Sequence, residues 1–531
     1  MFDFSSLNIV KNTNDFFIGI RKSKLEDNFE FCLPNGFDNF PEGDFDAVRN
    51  LFFKMYRTFR KFEVDNLDNK RFNINKPDFQ QEQDQTTLSS GGVKMQTEEG
   101  DVCVLYSKIK MIERVLEAYD ELAINSVQKK VRRSEDIEYS QIYKYLDRAI
   151  YLKDNLNNDV IYVEAMDLPR STVRYESTDL VNLYCYILDE IIEQLNSDVP
   201  DNIKARSQDI RFLAQRFKED YLTSNQSIFG KDTFEETISI LKEALDNIEK
   251  NTYYKDADYW GIYEAIEIFL YGEINPEQGD GEFWGVHGFS LIWEDMCNTY
   301  FFKEHPEEIC YADTDIPLKG YHNSKREGED KNRVGNRKAN GGTAYWNQWV
   351  YCKTLRISNN SEKVAEKAEK FEWDELFCIE FDLNDRIVNL SSRYNEIEKL
   401  SKTSKIKILR RFIRPDLVLE AKATTVDYNF KEGKTIKIID YKNLPLEFYK
   451  NKGLPKWTKK YKDDLVKQLT YEYALQKTHN ISANEFFIPY YYEVVPSDPL
   501  GELELELNLK GITVFRANFF LIQTIYLEDN L

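Results

Sequence analysis

The chain has 531 residues, 71 Lys and Arg against 92 Asp and Glu, and a formal charge of −21. That length suggests two to four domains, and 42% hydrophobic with 14% aromatic residues excludes a chain disordered throughout. Seven scattered cysteines without a CxxC pair, four histidines without metal-ligand spacing and no GxxxxGK[ST] exclude a zinc ribbon, an iron–sulfur cluster and a P-loop nucleotide hydrolase.

The opening MFDFSSLNIVKNTNDFF lacks a basic start followed by an apolar core, so it does not read as a secretory signal. Residues 1–80 read as β-rich: the runs Asp15 to Ile20 and Phe29 to Leu33 are short and apolar. Turn signals Pro34-Asn35-Gly36 and Pro41-Glu42-Gly43 follow, then a helix from Asp44 to Phe62. The polar stretch 77–101 reads as a linker, which makes 1–100 a β-rich N-terminal domain with its linker. Residues 101–280 read as a helical region. Its clearest stripes are Thr178–Leu195, Ile203–Leu222 and Thr233–Ile248, and packing explains them without any chemistry. Residues 281–531 form the last domain. It carries an insertion at 315–370 that opens with a Gly-, Asn-, Lys- and Arg-rich surface loop, then strands, one helix near 460–477, and strands to the end. The apolar run Ala517 to Leu527 is far short of the ~20 residues that span a bilayer, so the chain reads as cytoplasmic with no membrane segment. The expected fold class is a multidomain α/β (α+β) protein.

Charge is the first specific signal. Lys399 to Arg414 holds seven basic residues and no acids, and Lys399 to Lys467 has a net charge of +11, leaving −32 on the rest of the chain. Like charges gathered in one segment cost stability, and a polyanion partner explains them: phosphate contacts supply most sequence-independent affinity for DNA. A solvated lysine-rich face is the plainer alternative.

Two strand-like runs lie inside that segment, Arg411 to Leu419 and Thr435 to Lys442. Side chains alternate along a strand, so Ile436, Ile438, Asp440 and Lys442 share one face. If the two runs pair, with a turn at Glu432-Gly433, Asp416 can stand beside Asp440. Adjacent carboxylates repel unless a cation lies between them, and oxygen ligands suit Mg²⁺. Such an ion polarises a phosphoryl oxygen and activates water, while a nearby lysine stabilises developing charge, which is machinery for phosphodiester hydrolysis. Asp68-Asn69-Lys70 fits D-x-K by accident. Glu420-Ala421-Lys422 also fits, but it lies only four residues after Asp416 on the same run. On the following helix Asp464, Gln468 and Tyr471 fall at i, i+4 and i+7 beside a Leu465–Leu469 stripe. Gln468 can hydrogen-bond the attacking water or a phosphate, and Tyr471 can stack or pack.

Arg414-Pro415-Asp416-Leu417-Val418, Ile438-Ile439-Asp440-Tyr441-Lys442 and Gln468-Leu469-Thr470-Tyr471 together resemble the PD-(D/E)xK nuclease superfamily, and within it the McrC-like branch that includes the LlaJI restriction endonucleases. Trp284 to Cys297, with Trp293-Glu294, is similar to that family's helix carrying W-E. Asn484 to Pro489 resembles the strand after the glutamine helix, and Phe16 to Ile20 with Phe31 to Phe37 looks LlaJI-like. The resemblance implies a C-terminal restriction-endonuclease-like domain with a mixed sheet flanked by helices, and a Mg²⁺-dependent endonuclease subunit cutting double-stranded DNA in anti-phage restriction. Glu294, Asp416 and Asp440 would hold Mg²⁺, with Mn²⁺ able to substitute, and Lys442 and Gln468 would complete the catalytic set. Lys405, Lys407, Arg410, Arg411, Arg414 and Tyr471 would contact DNA. The partner implied is a McrB-like AAA+ GTPase or ATPase. The −32 carried outside Lys399–Lys467 suits docking on a protein rather than on DNA, so residues 1–280, with 101–280 as the helical docking region, are expected to hold that partner. A nuclease-like scaffold without activity would have lost Asp440 or Lys442, and a RecB-like exonuclease would often add a cysteine cluster.

Overall fold

The computed structural model describes residues 4–11, 17–23, 29–67, 72–75, 93–97, 102–106, 109–128, 131–137, 139–153, 159–163, 170–174, 177–196, 198–223, 225–252, 255–271, 282–305, 308–312, 378–381, 387–391, 409–412, 415–421, 435–451, 458–476 and 480–528. It is a mixed α/β chain of several sheets and helices. Two compact units interleave along the sequence. One comprises Met1–Ser6, Asp44–Phe53 and Lys108–Glu277; the other comprises Leu7–Gly43, Lys54–Ser107 and Gln278–Leu531. Among the described residues no helix is long and apolar enough to cross a membrane.

The first unit is mainly helical: the first and third sequence stripes fall on helices Ser177–Leu195 and Phe234–Asn251, while Ile203–Leu222 divides between the short helix Asp201–Lys204 and Ser207–Tyr221. Ser177–Leu195 is buried continuously from Leu180 to Ile191, as expected of a helix enclosed by its neighbours. Tyr186 stacks on Phe217 with ring centroids 5.4 Å apart, and the Tyr184 hydroxyl donates to the Val115 carbonyl at 2.6 Å. Glu190, buried on the same helix, is satisfied by Lys218 at 2.9 Å and by the Ser227 hydroxyl. Two antiparallel strand pairs interrupt the region expected to be helical: Val131–Ile137 with Arg170–Arg174, and between them in sequence the hairpin Ile150–Lys153 with Asp159–Tyr162. Ile150, Tyr151, Leu152, Val160, Ile161 and Tyr162 are β-branched, aromatic or apolar in runs too short for a helical period, which explains the hairpin.

The second unit holds two large sheets. The first runs in the order Asn8–Val10, Phe29–Cys32, Phe17–Lys22, Glu282–His287, Val102–Tyr106, Val93–Thr97, Phe72–Asn75. Its centre is Glu282–His287, antiparallel to both Phe17–Lys22 and Val102–Tyr106. The N-terminal strands are therefore not a separate domain. Their central neighbour arrives only after residue 281, a long-range pairing that composition along the chain does not reveal. Gly19 faces Gly285 across this join, and a Cβ on either would fall within 2.2 Å of a carbonyl oxygen on the facing strand.

The second sheet is mixed, in the order Ile309–Ala312, Leu417–Glu420, Thr435–Tyr441, Asn480–Tyr490, Ile512–Asn518, Gly501–Leu509. Thr435–Tyr441 is antiparallel to Leu417–Glu420 and parallel to Asn480–Tyr490. Helix Ser290–Glu304 is fastened to this sheet by Trp293, which stacks on Phe519 with centroids 5.8 Å apart and donates its indole N–H to the Phe487 carbonyl at 3.3 Å. The run read as one strand from Arg411 to Leu419 divides. Leu409–Phe412 belongs to a separate three-stranded sheet and Leu417–Glu420 to the mixed sheet, with Pro415 between them unable to donate to either ladder.

The turn Pro34-Asn35-Gly36 locks onto the end of the central mixed-sheet strands. Asn35 Nδ2 donates to the Asn443 carbonyl at 3.0 Å, and the Gly36 carbonyl accepts from Tyr491 N–H at 3.0 Å. Gly36 has φ +81°, and a Cβ there would lie 2.0 Å from the Pro489 carbonyl oxygen. Gly36→Ala is therefore expected to destabilise the protein by about 2 kcal/mol or more, combining left-handed strain with a backbone clash. Chemical denaturation of the full chain checks this, and an unchanged midpoint would contradict the close approach.

Candidate active site

Sheet register decides which side chains meet. Leu417 pairs with Ile439 in the antiparallel ladder, so one further step brings Asp416 opposite Asp440. Asp416 Oδ2 accepts the Tyr441 N–H at 2.7 Å, and the two carboxyl groups hydrogen-bond to each other. Asp440 is fully buried among Ile438, Ile439 and Tyr441. Glu420 pairs with Ile436, four residues or about 13 Å down the strand from Asp440, so the competing E-A-K stretch lies away from this pair. Lys422 is outside the described residues.

Two carboxyls side by side, Asp440 fully buried and Asp416 half-buried, cannot both ionise cheaply, and their surroundings divide them. Burial pushes Asp416 well above the usual carboxylate range, the charge of Asp440 adds to the rise, and Lys467 and Lys442 only partly offset it. Burial also acts against ionised Asp440, but Lys442, Lys467 and the hydrogen bond from Asp416 bring it down to about 2. Of the two, Asp440 is therefore the one favoured as the anion, and Asp416 the one disfavoured from ionising.

Two ammonium groups reach that anion. Lys442 Nζ lies 2.5 Å from Asp440 Oδ2 and 3.6 Å from Asp464 Oδ1. Lys467 Nζ approaches Asp440 Oδ1 at 3.5 Å from helix Thr458–Leu475. Burial lowers the lysine values, yet the facing carboxylates outweigh it and hold both above the ordinary range. Glu294, half-buried on helix Ser290–Glu304, lies close enough for its charge to bear on Asp416 and Tyr441. One turn further along that helix Asn298 Oδ1 accepts the Tyr441 hydroxyl at 3.2 Å.

Gln468 is fully buried, and its amide is oriented by a directed chain. Glu472, a carboxylate, can only accept, and takes Asn484 Nδ2 at 2.8 Å. Asn484 Oδ1 is thereby left to accept Gln468 Nε2 at 2.5 Å, so Gln468 Oε1 remains an acceptor without a hydrogen-bond partner. A phosphate oxygen needs a donor, so of the two roles the sequence offered Gln468, contact with water is the one this orientation suits.

Tyr471 is only 4% exposed, and burial pushes its phenol well up. Its ring packs inside the unit, which removes it from stacking on a nucleic-acid base. Arg410 and Arg411 stand opposite Glu380 and Ile379 on the three-stranded sheet, with their side chains outside the described residues. Lys405, Lys407 and Arg414 also lie outside them. The structure therefore gathers Asp416, Asp440, Lys442 and Glu294 and adds Lys467, Glu472 and Asn484, to which sequence reasoning gave no role. The i, i+3, i+4 spacing of Asp464, Lys467 and Gln468 was the available signal, since those positions share a helix face.

Among the described residues no three His, Cys, Asp or Glu side chains converge as a ready metal cage. The donors are nonetheless all oxygen, the buried Asp464 Oδ2 and Gln468 Oε1 lack hydrogen-bond partners, and Asp440 Oδ2 faces the Lys442 ammonium. This chemistry suits a hard cation that takes one or two carboxylates and keeps its own water.

The division of charge predicts opposite effects of two isosteric changes. Asp416→Asn removes the carboxyl that burial and Asp440 keep from ionising, and is expected to leave stability at neutral pH unchanged or raised. Asp440→Asn strips Lys442 and Lys467 of their shared anion and is expected to cost about 2–4 kcal/mol. Because the folded-state value of Asp440 is lowered to about 2, its contribution is present above about pH 4 and is lost as pH falls towards that value. Denaturant unfolding of the two variants across pH checks both the ranking and its convergence in acid.

No protein-family model, no curated protein and no solved structure matches this chain.

Proposed function

We propose that the chain is a Mg²⁺-dependent deoxyribonuclease of the PD-(D/E)xK kind, the cutting subunit of a McrBC- or LlaJI-like restriction system. The observation that carries this reading is the meeting of Asp416, Asp440 and Lys442 on adjacent strands of a mixed sheet, with Gln468 on the helix that follows. Asp416, Asp440 and Glu294 would hold Mg²⁺, or Mn²⁺ in its place. The ion would supply Lewis-acid polarisation of the phosphate and a more acidic water. Asp440 provides the fixed negative charge. Lys442, pinned between Asp440 and Asp464, places a cation where charge develops on the phosphate. Gln468 Oε1 accepts a hydrogen bond from water and so orients it.

An AAA+ GTPase or ATPase partner belongs to the same proposal. The hairpin Ile150–Lys153/Asp159–Tyr162 supports a docking role for the helical unit. It exposes Ile150, Tyr151, Leu152, Val160, Ile161 and Tyr162, each at 44% or more, on both faces of a two-stranded sheet. The basic segment around residues 399–414 would meet DNA phosphates, and Arg414 adjoins the strand bearing Asp416.

Full-length protein with its partner is expected to cut duplex DNA in Mg²⁺ or Mn²⁺ and to stop in excess EDTA. Asp416→Ala, Asp440→Ala and Lys442→Ala should each lower the rate by roughly 100-fold or more, whereas Glu420→Ala should change it little. Cleavage that survives EDTA, or that depends on Glu420 instead of Asp440, would reject this mechanism. For the docking role, Tyr151→Ser with Ile161→Ser should reduce retention of the motor in co-purification while leaving the unfolding transition in place. Full retention would move the interface elsewhere.

A further inference from the structure

A D-x-K pair brings one lysine to its carboxylate; this site has two. Lys442 and Lys467 contact opposite oxygens of Asp440, at 2.5 Å on Oδ2 and 3.5 Å on Oδ1. Their surroundings differ. The Lys442 side chain is 13% exposed and has Asp464 as a second partner. The Lys467 side chain is 44% exposed and comes from a helix rather than from the motif strand. Its Nζ also lies 5.5 Å from the ring centroid of Tyr471, a face that can hold an ammonium without a carboxylate. Lys467 therefore has an exit to solvent and a second resting place, and Lys442 is held on two sides.

A divalent cation entering beside Asp416 and Asp440 would seek the same oxygens. With both ammoniums in place Asp440 already faces two positive charges, and a doubly charged ion could not join them without repulsion. One lysine has to withdraw. The freer one is Lys467, and a withdrawn ammonium at the mouth of a phosphodiester site finds an anion in the substrate.

We propose that Lys467 is a resident counter-cation of this site. It occupies Asp440 Oδ1 in the absence of a divalent ion, yields that oxygen when the ion binds, and then contacts a non-bridging oxygen of the DNA phosphate. The inference rests on the nuclease reading above and adds a residue and a sequence of contacts to it.

Two measurements on the full-length chain test it, with Lys467→Met as the neutral variant and Lys467→Arg as the charge-keeping one. In calorimetric titration with Mn²⁺ and no DNA, Lys467→Met is expected to bind the ion about threefold to tenfold more tightly than the parent. The ion no longer competes with an ammonium, and a modest ion pair is worth about that factor. In duplex binding followed by anisotropy, Lys467→Met should flatten the log K against log salt slope by about 0.9 in Ca²⁺, the loss of one phosphate contact. Without a divalent ion the slope should not move, because Lys467 is then held by Asp440. Lys467→Arg should restore the slope in Ca²⁺. Equal Mn²⁺ affinity in parent and Lys467→Met overturns the counter-cation, and an unchanged Ca²⁺ slope overturns the phosphate contact. If the parent itself takes up no Mn²⁺, the metal-dependent nuclease reading fails and this inference falls with it, an outcome distinct from the first two.

Discussion

Asp440 keeps a full negative charge at zero exposure inside a sheet of isoleucine, leucine and phenylalanine. Such a charge is tolerated only when it is matched closely, and the neighbourhood of the mixed sheet is arranged to match it. The antiparallel register sets Asp416 across from it as a hydrogen-bond donor, the end of its own strand supplies Lys442, and the next helix supplies Lys467. Asp416 in turn accepts the Tyr441 N–H, and Tyr441 hydrogen-bonds Asn298 on the helix that carries Glu294. A single anion thus connects two strands and two helices. Moving the ladder by one residue would send Asp416 to the other face and leave the lysines without a shared partner.

Orientation matters as much as proximity. An amide side chain presents a donor and an acceptor, and nothing in its own chemistry selects which faces a ligand. Here selection begins two hydrogen bonds away, at the Glu472 carboxylate that can only accept, and passes through Asn484 to Gln468. Parallel pairing of Asn480–Tyr490 with the motif strand puts Asn484 in that position. The sheet therefore fixes not only where Gln468 stands but which of its atoms is offered.

Much of the site was legible from period-two and helical spacing. Asp440 and Lys442 two residues apart on a strand, and Asp416 on a run able to pair with it, are local patterns. The helical stripes around residues 178, 207 and 234 were equally readable, because a regular apolar period survives in sequence wherever a helix has a buried face. Lys467 was hidden for a different reason. One lysine among nineteen basic residues in a segment has no distinguishing mark until a fold sets it 3.5 Å from a carboxylate. Tyr471 was ambiguous because an aromatic serves equally as core or as a stacking platform, and only burial separates the two. The membership of the first sheet was least visible. Its central strand begins 176 residues after the end of one strand it joins and 260 after the end of the other, a stretch belonging largely to the other unit, and short-range pattern carries no information about such a pairing.

That separation shapes how the molecule can be made. Strands Phe17–Lys22 and Val102–Tyr106 both need Glu282–His287 between them. On a ribosome adding about 5–20 residues per second, roughly 10–50 s pass between emergence of the first strand and of its central neighbour. Through that interval both carry unpaired backbone edges, the state in which strands recruit the wrong partner. Synthesis of the helical unit fills the same interval, so the nascent chain must carry an unfinished sheet past a region that is already able to form helices.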